Sequence, residues 1–188
     1  QRIDNVKFHA TEPNGEFSID SYHLEDVGIS GSGGGTFKLA NSTIVNPVGE
    51  TYIAYPSSDV EISNNEFYLD DSNWRINAGS SSGVDILISN NIFNDHNAPN
   101  LTLIENWASY SGSKTIVEGN QFINPSSPLL GTGSGNDSAD IYGSNNTVIN
   151  SQISNEELIL DAQDDLNRNA ITDHDNLFPG INFTSPSD

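Results

Sequence analysis

The chain has 188 residues, with 26 Asp plus Glu against 6 Lys plus Arg, a formal net charge of −20, and neither cysteine nor methionine. That length supports one domain with a continuous core. The charge repels nucleic-acid phosphates, anionic membranes and polyanionic polysaccharides unless cations bridge them, and the lack of cysteine excludes a disulfide scaffold or a thiolate-bound metal. No apolar run is long enough for membrane insertion. A hydrophobic content of 34% is low for a compact globule and reasonable for a solenoid with polar loops. The lack of methionine reads as a processed or excised piece, and the charge favours an extracellular or cell-surface setting in a calcium-containing medium.

One short phrase recurs along the chain: an aliphatic residue, a small residue, Asn, a spacer, a large apolar residue, then Asn or Asp. An irregular first copy spans Arg2 to Phe8, and a looser one runs Leu39-Ala40-Asn41-Ser42-Thr43-Ile44-Val45-Asn46. Ile62-Ser63-Asn64-Asn65-Glu66-Phe67 follows, then Ile88-Ser89-Asn90-Asn91-Ile92-Phe93-Asn94. The last copies are Val117-Glu118-Gly119-Asn120-Gln121-Phe122-Ile123-Asn124 and Tyr142-Gly143-Ser144-Asn145-Asn146-Thr147-Val148-Ile149-Asn150. The large apolar markers Ile44, Phe67, Phe93, Phe122 and Val148 are separated by 23, 26, 29 and 26 residues (67−44, 93−67, 122−93, 148−122). Repetition on this scale means one supersecondary unit stacked on itself. Variable gaps around a fixed phrase predict coils whose strands are constant and whose loops change length. The apolar runs alternate with period two, as in Val60-Glu61-Ile62 and Asp85-Ile86-Leu87-Ile88, and predict strands of a few residues. Asn at the turn suits a left-handed backbone, and its amide can bond the neighbouring coil to form a ladder.

These phrases resemble the right-handed parallel β-helix of pectate-lyase-like proteins over roughly Ile3 to Leu160. The resemblance implies an all-β solenoid with three strands per coil, the Asn turn joining the second and third. First-strand candidates are then 51–55, 73–77, 101–105 and 128–131. Fold alone does not set the activity, because lyases, hydrolases, adhesins and phage spikes share it.

After residue 160 the character changes, which divides the chain into β-helix coils over 1–160 and an acidic segment over 161–188. Counting Asp165 as position 1, Asn167 and Asn169 occupy 3 and 5, the Ile171 carbonyl 7, Asp173 position 9 and Asn176 position 12. That is the ligand spacing of an EF-hand-type loop for Ca2+, and it resembles the loops of dockerins and thrombospondin type 3 repeats. Ala170 stands where those loops have Gly, and Asn176 where a bidentate carboxylate is usual. The final stretch, rich in Ser and Pro, reads as the start of a linker.

Five N-glycosylation sequons occur, at Asn41, Asn100, Asn136, Asn145 and Asn182. In a chain this rich in Asn, Ser and Thr they read as coincidence, and several overlap the expected ladder, where a glycan would not fit.

The segment from Leu103 to Lys114 resembles the part of the chondroitinase-B-like alginate lyases in which a calcium-binding Glu precedes a catalytic Lys. Glu105 matches the Glu. The Lys position falls on Ser111, with Lys114 three places late, so no catalytic residue is assigned. Asp70, Asp71, Asp137 and Asp140 lack a supporting pattern for a hydrolase, and His9, His23, His96 and His174 are scattered. Tyr52, Trp74, Trp107 and Tyr110 fall on or just after first-strand segments, the glycan-binding face of this family, with Arg75, Asn77 and Glu105 as polar neighbours. Aromatic faces stack on sugar rings, and polar neighbours fix orientation. The leading expectation is a non-catalytic extracellular module that binds polysaccharide, as part of a larger secreted protein. The alternatives are a surface-fibre or adhesin subunit assembling end to end with its own copies, and a calcium-dependent polysaccharide lyase.

Overall fold

The computed structural model describes residues 1–10, 15–32, 35–49, 51–54, 60–69, 73–78, 85–98, 101–106, 114–132, 140–160 and 177–181. The chain forms short strands in chain order: β1 (Arg2–Asp4), β2 (Lys7–Ala10), β3 (Glu16–Asp20), β4 (His23–Glu25), β5 (Gly28–Ser32), β6 (Thr36–Ala40) and β7 (Thr43–Val45). Then come β8 (Thr51–Ala54), β9 (Val60–Ser63), β10 (Glu66–Tyr68), β11 (Ile76–Ala78), β12 (Asp85–Ser89), β13 (Ile92–Asn94) and β14 (Ile104–Asn106). The last are β15 (Lys114–Glu118), β16 (Gln121–Ile123), β17 (Leu130–Thr132), β18 (Asp140–Tyr142), β19 (Thr147–Ile149) and, after a 3-10 turn at Asn155–Glu157, β20 (Ile159–Leu160).

Every third strand pairs, always in parallel. Sheet I is β2-β5-β8-β11-β14-β17-β20, sheet II is β3-β6-β9-β12-β15-β18, and sheet III is β1-β4-β7-β10-β13-β16-β19. The fold is therefore all-β, a solenoid-like stack of coils that each pass through sheets I, II and III. The expected first strands at 51–55, 73–77, 101–105 and 128–131 overlap β8, β11, β14 and β17 of sheet I, the last three of which begin two or three residues later than expected. The five apolar markers lie in register on sheet III, Ile44 beside Phe67, Phe67 beside Phe93, Phe93 beside Phe122, and Phe122 beside Val148. All but Val148 are buried in the core. Phe67, Phe93 and Phe122 stack with ring centroids 4.8 and 5.3 Å apart and interplanar angles of 12° and 10°. Such offset pairs contribute about 0.5–1.5 kcal/mol each beyond the burial of their area.

The two consecutive residues of the Asn-Asn phrase have different tasks. The first is exposed and turns the chain through the left-handed region: φ is 52° at Asn41, 56° at Asn64, 55° at Asn90 and 58° at Asn145. Gly119 takes the position in its own coil at φ 64°, where an added Cβ would meet the Asn90 Oδ1 at 2.6 Å. The second residue is buried and builds the ladder. The Oδ1 of Asn91 accepts from the main-chain N–H and Nδ2 of Asn65 in the coil before, at 2.9 and 3.0 Å. Its Nδ2 donates back to the Ile62 carbonyl at 2.9 Å and on to the Asn120 Oδ1 at 3.0 Å. Asn120 repeats this with Asn146. At one end Ser42 stands in for Asn, its N–H donating to the Asn65 Oδ1 and its hydroxyl accepting from the Tyr22 N–H. At the other end the Leu177 carbonyl accepts from both the Nδ2 and the N–H of Asn146, at 2.9 and 3.1 Å.

A second left-handed corner, between sheets III and I, carries Asn5, Asp26, Asn46, Asp95, Asn124 and Asn150, all with φ between 45° and 57°. It accounts for the Asn that closes the phrase at Asn46, Asn124 and Asn150, whereas in the coil of Phe93 the corner is Asp95, one residue past Asn94. Two further features complete the stack, the first of them outside the expected pattern. A full coil occupies β3 to β5, with Ser21 (φ 64°) at the turn and Leu24 as its marker, paired to Ile3 and Ile44. Leu177 and Phe178, from the segment set apart as acidic, are fully buried and close the last coil, Phe178 meeting Phe122 edge-on at 6.0 Å.

This division of labour predicts unequal sensitivity at adjacent positions. Asn91→Ala leaves two donors of Asn65 and the Ile62 carbonyl without partners, and should cost about 2–4 kcal/mol. Asn64→Gly keeps the turn and should change stability by under about 0.5 kcal/mol. Urea unfolding midpoints of the two variants check both.

Candidate functional site in sheet I

Along sheet I, Phe8, Ile29, Ile76, Ile104, Leu130 and Ile159 point into the core, so the alternate residues face outward. Register pairs His9 with Ser30, Tyr52 with Asn77, Asn77 with Glu105, and Glu105 with Gly131. Gly31 opposite Ile53 sets Ser30 beside Tyr52 and joins these pairs into one row. Segments far apart in sequence thus place Tyr52, Asn77 and Glu105 at successive steps of about 4.8 Å. The His9 Nδ1 lies 2.7 Å from the Ser30 Oγ at the start of the row.

Arg75, just before β11, reaches across to the next coil, and its Nη1 donates to the Glu105 Oε2 at 2.5 Å. The two side chains are 17% and 15% exposed. A charge pair this sheltered is screened little by salt, and removing one partner strands the other in a poor solvent. Asn77 is buried beside them at 6% exposure. Arg75, Asn77 and Glu105 therefore form one polar cluster on the outer side of the sheet.

Trp74 differs from its expected role. It is fully buried, and its ring stacks on Phe67 at 5.0 Å, so it is part of the core and offers no face to a ligand. Strand alternation explains this: Trp74 and Ile76 share the inward side, and Arg75 lies between them. The backbone of Tyr52 lies on the row. Trp107 and Tyr110 lie outside the described residues, as do the proposed calcium ligands Asp165, Asn167, Asn169, Ile171, Asp173 and Asn176. Among the described residues no group of three or more His, Asp or Glu is placed to hold a metal ion, and no helix is long and apolar enough to cross a membrane.

Lys114 begins β15 on sheet II, between Asp85 and Asp140, with its Nζ 5.6 Å from the Tyr142 ring centroid. It stands on a different sheet from Glu105, so these two residues do not converge on one reacting atom. Ser111, Asp70, Asp71 and Asp137 lie outside the described residues. His23 is exposed on sheet III and His174 lies outside the described residues.

Asp20 and His96, both beside corners, have perturbed titrations. Asp20 is held below its usual range by hydrogen bonds from Asn41 and Ser21. His96 is buried after the Asp95 corner, where its Nε2–H donates to the Leu101 carbonyl at 3.2 Å. Burial lowers its pKa, opposed by the carbonyls of Leu101 and Pro128. Its own carbonyl accepts from the Ser126 N–H, and the Asp95 Oδ1 accepts from the Asn124 Nδ2 at 2.8 Å, so this loop is stitched to the following coil.

Comparison with protein-family models, curated proteins and solved structures finds no match to this chain.

The histidine yields a pH prediction. A group whose folded-state pKa is depressed contributes stability that is complete above its unfolded value, about 6.5, and is lost as pH falls through the folded value. Between about pH 6.5 and 5 the native chain should lose stability more steeply than a His96→Gln variant. Unfolding midpoints measured across that range compare the two slopes.

Proposed function

We propose that the chain is a right-handed parallel β-helix that serves as a non-catalytic, extracellular, polysaccharide-binding module within a larger secreted protein. The observation that carries this reading is the row on sheet I. Tyr52, Asn77 and Glu105 align on successive coils, and Arg75 closes on Glu105. Amide, carboxylate and guanidinium groups on successive coils, with the Tyr52 position in the same row, match a polymer that repeats hydroxyl groups along its length, and solenoids bind along their length.

The lyase reading is weaker. The Glu105 Oε2 accepts from Arg75, and the guanidinium charge beside it disfavours a cation at the same carboxylate. The nearest lysine in sequence, Lys114, stands on another sheet. The calcium loop remains a proposal from its spacing alone. For end-to-end assembly, the Leu177 carbonyl occupies the place where the ladder of a following copy would join.

Affinity electrophoresis through gels containing neutral and acidic polysaccharides tests the leading reading. Retardation by at least one polymer is expected, and Glu105→Ala, which also unlocks Arg75, should weaken it tenfold or more. A folded chain that runs unretarded in every gel overturns the binding module. Release of unsaturated uronate, read by ultraviolet absorbance, would establish a lyase instead.

A further inference from the structure

In five coils the corner between sheets II and III is turned by Asn41, Asn64, Asn90, Gly119 or Asn145, and the four asparagines are exposed. The ladder residue is always the next one, Ser42, Asn65, Asn91, Asn120 or Asn146, and is buried. Two residues beyond the corner comes the first position of the sheet III strand, which lies in the outward row. That position is Thr43, Glu66, Ile92, Gln121 or Thr147. Where it is threonine the coil spells the acceptor sequence for N-linked glycan, Asn-Ser-Thr at 41–43 and Asn-Asn-Thr at 145–147. The overlap with the ladder expected from sequence is therefore displaced by one residue. The acceptor side chain is the one that points to solvent.

We propose that Asn41 and Asn145 are acceptor sites for N-linked glycan, arranged along a single corner of the solenoid. The Nδ2 of Asn41 donates one hydrogen to the Asp20 Oδ1 at 3.0 Å, and that of Asn145 donates one to the Ser144 Oγ at 3.2 Å, both on the exposed surface. A carboxamide nitrogen carries two hydrogens, so each keeps its bond when the other hydrogen is replaced. In the transfer, Nδ2 bonds to the anomeric carbon of a polyprenyl-diphosphate oligosaccharide. The bond from that carbon to the diphosphate breaks, the diphosphate leaves with the electron pair, and the displaced Nδ2 proton passes to a base. A glycosyltransferase of a secretory pathway supplies the donor, so the inference rests on the extracellular reading and not on the sheet I row. The corner between sheets II and III lies on the opposite side of the coil from sheet I, so glycans there do not reach its outer row.

The test is expression of the full chain behind a secretory leader in a glycosylating eukaryotic host, with peptide mapping before and after peptide N-glycosidase. Occupancy of Asn41 and Asn145 is expected, each lost separately in Thr43→Ala and Thr147→Ala. Glu66→Thr should create a third occupied site at Asn64 with the urea midpoint unchanged, because that corner has the same geometry. A cell-free translation with microsomes reads the same occupancy without requiring secretion. Unmodified Asn41 and Asn145 in a chain whose other sequons are occupied would overturn the proposal. So would a collapse of cooperative unfolding once these two carry glycan.

Discussion

The column of buried carboxamides from Asn65 to Asn146 is the constraint on which the stack depends. A coil corner must turn sharply, and a sharp turn leaves main-chain N–H and carbonyl groups facing inward without strand partners. An asparagine head group carries an acceptor and two donors on one short stem, so it satisfies the corner before it and the corner after it together. Serine does half of this, which suits Ser42 at the end of the column. Aspartate has no donor when ionised, and stacking it would add repulsion to a chain already at −20. The column is neutral in an otherwise acidic molecule, and the acidic groups are left to the outer positions and loops.

Once the corners are fixed, the rest follows by alternation. Each strand has one or two inward residues, and register stacks like on like: Phe67, Phe93 and Phe122 on sheet III, Ile76, Ile104 and Leu130 on sheet I. Loops between strands leave this arrangement undisturbed, which is why ladder partners are separated by 23, 26, 29 and 26 residues yet keep the same hydrogen-bond lengths within 0.1 Å. The same alternation decides the fate of individual site candidates. It sends Trp74 inward and Arg75 outward, and brings Glu105 within reach of Arg75 from the next coil.

The sequence made most of this fold legible because the repeated phrase encodes corner, ladder and marker together. The coil at β3 to β5 was hidden because Ser21 and Tyr22 stand where the other coils have Asn. Only Leu24 and Asp26, at the marker and second-corner positions, carry its signature. The separate roles of the paired asparagines were not readable either, since two identical letters differ only in backbone angle and burial. Of the candidate site, Arg75, Asn77, Glu105 and the position of Tyr52 come together on sheet I. Trp74 does not, because an aromatic beside a strand start can face either way until register is known. A cap on the last coil from the acidic segment was expected from its calcium-type loop, but Leu177 and Phe178 were not named for it, because two apolar residues after a long run of charge carry no period.

The carbonyl that ends the column belongs to the main chain of Leu177, not to a specialised side chain. Any coil whose corner asparagine presents its amide in the same direction could be finished by the same terminator. The solenoid is thus open to growth or loss in whole turns: duplicating or deleting one complete winding in the gene would leave the closing joint chemically unchanged, and would alter only the length of surface offered along each side.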